Sequence, residues 1–121
     1  MEALSDMRAL IELLEDRGDL IRIKKRVSAK YELAAIVQKV LDSTGQAVFF
    51  EDVDGKMKAA ANLYGGRDKI SSVFGVGPEE AASIIAQRGA GLPVKPVVLK
   101  DRPEYFDNYT EDPDIGGLLP V

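Results

Sequence analysis

The patterning of the chain predicts a small α/β domain, one mixed β-sheet of about four strands with helices packed on it. Three observations lead there. Apolar stripes at helical spacing alternate with short runs of β-type residues. Turn residues punctuate most of the junctions, among them Gly18, Gly45, Asp54-Gly55, Gly65-Gly66 and Gly75. The length of 121 residues, 45% apolar and 30% charged, suits a single hydrophobic core.

Met7, Leu10, Ile11 and Leu14 fall at i, i+3, i+4 and i+7, the stripe of an amphipathic helix. Ser5 is the expected N-cap, with Asp6 favourable at the positive end of the dipole and Gly18 closing the helix. From Leu20 to Val27 the chain alternates, Ile21 and Ile23 to one side and Arg22, Lys24 and Arg26 to the other. Ser28 is the expected cap of a second helix with face Leu33, Ile36, Val37, Val40 and Leu41. Ala47 to Phe50 is apolar on both faces, as a central strand covered by helices would be. Asp54-Gly55 fits a two-residue hairpin turn, and Met57 to Asn62 is the returning strand. Its small residues Ala59, Ala60 and Ala61 leave room for a helix to lie close.

After the elbow Gly65-Gly66, Ile70, Val73 and Phe74 mark a short helix. Gly77-Pro78-Glu79-Glu80 opens another, with proline at the first helical position and acids in the first turn. Ala81, Ala82, Ile84 and Ile85 are its expected buried side. Leu92 to Leu99 carries Pro93 and Pro96 and reads as an edge strand or extended connector. The domain is thus assigned to residues 1–99, and residues 100–121 to an acidic linker or docking tail. That tail holds six acids between Asp101 and Asp114, with Tyr105, Phe106 and Tyr109 among them. It runs to an apolar Leu118-Leu119-Pro120-Val121, a docking strip or a continuation into something further.

Composition excludes whole classes of chemistry. The chain has no cysteine and no histidine. Thiol nucleophiles, thiolate metal sites and Ser-His-Asp or Cys-His machinery therefore cannot be built from it alone. Net charge is −4, with Lys and Arg dispersed, which argues against nucleic acid or an anionic membrane as partner. No apolar run approaches the ~20 residues of a membrane span. The first helix carries Glu2, Asp6, Glu12, Glu15 and Asp16, unlike a secretory or transit signal, so the cytoplasm is the expected location.

Three groups of residues invite a functional reading. The elbow Asn62-Leu63-Tyr64-Gly65-Gly66-Arg67 offers backbone N–H groups and a guanidinium to an anion at a helix N-terminus. It matches neither a P-loop nor a dinucleotide fingerprint, and turning the chain is its commoner role. The row Arg22, Lys24, Lys25 and Arg26 has the charge to grip a phosphate, though such a row is usually the solvated face of a half-buried strand. Glu51, Asp52 and Asp54 form an acidic hairpin end without the spacing of a calcium loop. No carboxylate pair has an evident reason for separated pKa values.

The opening MRALIELLEDRGDLIRIKKRV resembles the start of UbiD-type decarboxylases, the 3-polyprenyl-4-hydroxybenzoate decarboxylase-like enzymes. The following YELAAIVQKVLDSTGQAVFFEDVDGKMKAAANLYGGRDKISSVFGV is similar to that family's E-x-A-A-I helix, apolar strand, Gly hairpin and N-L-[FY]-G-x-R elbow. Ser28-Ala29 departs from a common Asp-Pro, and Gly66 from a usual Ser or Thr. The resemblance implies prenylated FMN with Mn2+ or Mg2+ and K+, and non-oxidative, reversible decarboxylation of an aromatic or α,β-unsaturated acid. It also implies that the family's Glu-Arg-Glu set and its Asn, His and Glu metal ligands lie in a central split-barrel domain without counterpart here. No catalytic, cofactor-binding or metal-binding residue is therefore assigned to this chain. Its expected partner is the catalytic domain or subunit, with homo-oligomerisation open. A stand-alone interaction module, or an anion- or nucleotide-binding domain using Gly65-Gly66, is the alternative.

Overall fold

The computed structural model describes residue 4 and residues 6–91, 93–101 and 111–114. The expectations placed on Ser5, Leu92, Tyr105, Phe106, Tyr109 and residues 118–121 lie outside the described residues. In chain order the elements are α1 (Met7–Asp16), β1 (Leu20–Ile23), α2 (Glu32–Ser43), β2 (Ala47–Val53), β3 (Met57–Ala61), α3 (Arg67–Phe74) and α4 (Pro78–Gly89).

The strand apolar on both faces is central, as its composition demands. The sheet order is β1-β2-β3. β1 runs parallel to β2, pairing Leu20 with Ala47 and Ile23 with Phe50. α2 serves as the crossover that a parallel pair requires. β3 returns antiparallel, pairing Phe49 with Ala60 and Phe50 with Ala59, with a register shift before Val53 meets Met57. The turn between them has Asp54 at φ 52° and Gly55 at φ 71°, the paired positive values a type I′ turn needs. The Lys56 N–H donates to the Val53 carbonyl across it at 3.0 Å.

Each sheet face buries its own cluster. On one side Leu10 and Leu14 of α1 meet Leu20, Ala47 and Leu63, with Phe49 and Val73 at the margin. On the other, Leu33 of α2 meets Val27, Val48, Phe50 and Val53, flanked by Ile36, Val37 and Val40. α3 packs near α1, and α4 rests on α3 rather than on the sheet. This is why α4 buries Ala81 alone, leaving Ala82 and Ile85 exposed and Ile84 half-buried.

The structure corrects several local expectations. Asp6 is the N-cap of α1, its Oδ1 accepting from the Ala9 N–H at 2.9 Å. α2 begins at Glu32, four residues after Ser28. The intervening residues are held by competing polar contacts. The Ser28 hydroxyl accepts from the Lys30 N–H, the Glu32 carboxylate from the Ser28 N–H, and Asp54 Oδ2 from the Ala29 N–H. Short polar side chains offer the backbone such alternatives to a helical turn. β1 ends at Ile23 and the chain rejoins the sheet only at a Val27–Val53 bridge. Among the described residues the sheet has three strands, close to the about four expected, and residues 93–99 enter no ladder. Of the three alanines, Ala59 lies under α2 and Ala60 is exposed.

Phe50 is fully buried against α2, so Phe50→Ala should cost about 3–5 kcal/mol in urea unfolding. Leu41→Ala, on the exposed flank of the same helix, should cost under about 1 kcal/mol.

Candidate functional site

The elbow is built around Asn62, the residue just after β3, which has φ 57°. Its Nδ2 donates to the carbonyls of Gly45 (2.9 Å) and Gln46 (3.0 Å), the turn that leads from α2 into β2. Lys69, buried in the first turns of α3, donates its Nζ to the same Gly45 carbonyl at 2.5 Å. Burial lowers the Lys69 pKa from its ordinary value, and the Asp19 charge acts in the opposite sense. Two side chains thus converge on one backbone turn and join the β3–α3 connection to the α2–β2 connection.

That clamp closes the inner side of the elbow at Gly65. A Cβ at Gly65 would lie 1.8 Å from the Asn62 Oδ1, so the glycine is there because the asparagine side chain occupies its space. Gly66 sits at φ 98°, a value favouring glycine, and forms the N-cap of α3. Arg67 and Tyr64 face outward. Asn62 thus accounts for Gly65 through the turn itself, while the space at Gly66 stays open.

The basic row is divided by its neighbours. Arg22 grips Glu15 of α1 with two hydrogen bonds of 2.7 and 2.5 Å and reaches Glu51 at 3.4 Å. Its guanidinium also lies over the Phe49 ring, 4.7 Å from the centroid. Arg26 pairs with Asp52 at 2.9 Å. Lys24 and Lys25 stay exposed. The hydrogen bonds from Arg22 hold the Glu15 carboxyl below its ordinary value, and Glu15 in turn raises the Arg22 pKa. Asp52 is lowered chiefly by its hydrogen bond from Arg26.

The acidic hairpin end is likewise engaged. Glu51 accepts from Arg22, Asp52 from Arg26 and the Gly55 N–H, and Asp54 from the Ala29 N–H. Among the described residues no three Asp or Glu side chains are grouped to hold a metal ion. No described helix is long and apolar enough to cross a membrane.

Sequence reasoning missed Lys69 and the Glu15–Arg22 pair. A signal for Lys69 exists in its spacing, one turn before the buried Ser72 and half-buried Val73 of α3. The partner of Arg22 lies seven residues away across a helix-to-strand turn, a contact that no periodicity reveals.

Residues 11–89 match the sequence profile of the 3-octaprenyl-4-hydroxybenzoate carboxy-lyase N-terminal domain. The chain belongs to the UbiD family. The fold agrees. Vanillic acid decarboxylase from Sedimentibacter hydroxybenzoicus, in its closed form, superposes with a TM-score of 0.66 at 27% identity, over 83% of this chain and 22% of that chain. An evolved dimeric form of the UbiD-class enzyme HmfF from Pelotomaculum thermopropionicum, in complex with prFMN, superposes with a TM-score of 0.62 at 26% identity. There 69% of this chain and 19% of that chain are covered. This UbiD N-terminal domain therefore spans about a fifth of the length of those two chains.

Two measurements check this geometry. Gly65→Ala should cost about 1–3 kcal/mol in the wild-type background and far less on top of Asn62→Ala, because the overlap disappears with the asparagine. Glu15 has a lowered folded-state pKa, so its pairing adds stability above its unfolded value that is lost as pH falls. Urea unfolding between about pH 6 and pH 3 should therefore show a shallower acid loss in Arg22→Met than in the wild type.

Proposed function

We propose that this UbiD N-terminal domain is a non-catalytic domain or small subunit of a decarboxylase. In that assembly it packs on a flavin-binding split-barrel domain and helps to shape or cover the active-site cleft. The reaction is the non-oxidative, reversible decarboxylation of an aromatic or α,β-unsaturated acid. The observation that carries this reading is the match over residues 11–89 joined to a coverage of only about a fifth of the related decarboxylase chains. The remaining four-fifths of those chains supply the partner.

Prenylated FMN, with Mn2+ or Mg2+ and K+, belongs in this reading to that partner. One HmfF structure holds prFMN and another holds FMN, which supports a flavin in the family. The residues of this domain do not fit the group. Asn62 occupies the space at Gly65, Arg22 and Arg26 are ion-paired, and the chain contributes no histidine to a metal. No catalytic step is assigned to its side chains. Residues 1–99 act as the α/β domain and residues 100–121 as the acidic linker or docking tail, with the assembly in the cytoplasm.

Titration of the isolated chain with prenylated FMN and Mn2+ should show no saturable change in flavin absorbance. Stoichiometric, saturable binding would overturn the assignment of the cofactor to the partner. Co-expression with a flavin-domain polypeptide from the same source should yield a complex that survives gel filtration.

A further inference from the structure

Residues 93–99 carry the most exposed apolar run among the described residues. Val94, Val97, Val98 and Leu99 are 92%, 84%, 87% and 57% exposed, and the run enters no helix or ladder. Contiguous apolar surface of this kind marks an interaction site. Its pattern says what kind. In an extended chain Val94 and Val98 point to one face, which ends on Lys100, and Val97 and Leu99 to the other, which begins at Lys95, so both faces are apolar between the terminal lysines. A strand apolar on both faces is one covered on both, and valine is a strong strand former.

The prolines then decide which edge can pair. Successive backbone N–H groups of a strand point to opposite edges. Pro96 removes a donor from the middle of the edge served by Val94 and Val98. The other edge, served by Lys95, Val97 and Leu99, is uninterrupted after Pro93.

The sheet of this domain does not supply two covered faces. Beside β3 the neighbours on one face would be Lys58 and Ala60, both exposed. Beside β1 the neighbour would be Arg22 with its ion pairs. We propose that residues 95–100, at the margin where the α/β domain gives way to the tail, form a strand that completes a sheet of the flavin-binding domain, pairing through the Lys95, Val97 and Leu99 edge with Val97, Val98 and Leu99 between two apolar layers and a lysine at each end. This rests on the partner reading given above, and the occupant is that domain rather than a second copy of this chain.

The test uses the full chain, alone and bound to the flavin-domain polypeptide. Amide exchange at Val97–Lys100 should be fast in the chain alone and at least about a hundredfold slower in the complex. Val97→Asp and Val98→Asp should each weaken assembly at least about tenfold, because each buries an unpaired carboxylate on a different face. Neither should change the melting of the isolated chain. Sensitivity to only one of the two would mean one-sided packing and overturn the strand. Protection already present in the isolated chain would place the run on a second copy and overturn it equally. Assembly that survives both substitutions, with unprotected amides, overturns the strand alone. Failure of the two polypeptides to associate at all removes the partner reading and the strand with it.

Discussion

Everything in this fold is arranged around the burial of β2. Ala47, Val48 and Phe50 are fully inaccessible, which is achieved only if the strand is hydrogen-bonded on both edges and covered on both faces. The parallel neighbour β1 and the antiparallel neighbour β3 meet the first condition. α1 and α2, on opposite sides, meet the second. The parallel pairing in turn demands a crossover, and α2 is that crossover and a covering layer at once.

Polar groups fix where those layers sit rather than driving their association. Asn62 and Lys69 tie the exit of β3 to the entry of β2 through two carbonyls. Arg17 adds a bond of 2.6 Å to the buried Ser72, joining the end of α1 to α3. Arg22 holds α1 to the sheet through Glu15 and Glu51. Such exposed or half-exposed ion pairs contribute little net stability each. Their value is in orientation, and they consume most of the charges that might otherwise have suggested ligand binding.

That consumption bears on function. Asn62 takes up the space at Gly65, and the hairpin carboxylates Glu51, Asp52 and Asp54 all accept hydrogen bonds from neighbours. This is consistent with a UbiD N-terminal domain that spans a fifth of its structural relatives. A large apolar exposure on residues 94–99, beside a well-satisfied polar surface, then becomes the feature with the most to say about partners.

The α/β class, the central place of residues 47–50, the Asp54-Gly55 turn and the buried stripes of α1 (Leu10, Leu14) and α2 (Leu33) were legible in the sequence. Each rests on local periodicity or on a φ requirement, which neighbouring residues settle among themselves. The family was legible too, in the order of its pieces. The expected face of α4 was not legible, because α4 rests on α3 rather than on the sheet. The start of α2 was not, because Ser28 finds its partners in Lys30 and Glu32 while Ala29 bonds to the hairpin at Asp54. Nor was the fate of residues 93–99, where composition allowed a strand but no covered edge of this sheet receives it. Sequence by itself determined what each segment could become and that neither cysteine nor histidine chemistry was available. Tertiary structure alone decided that Asn62 closes the elbow and that Arg22 belongs to Glu15. Both depend on which distant atoms share a space, and no local pattern carries that.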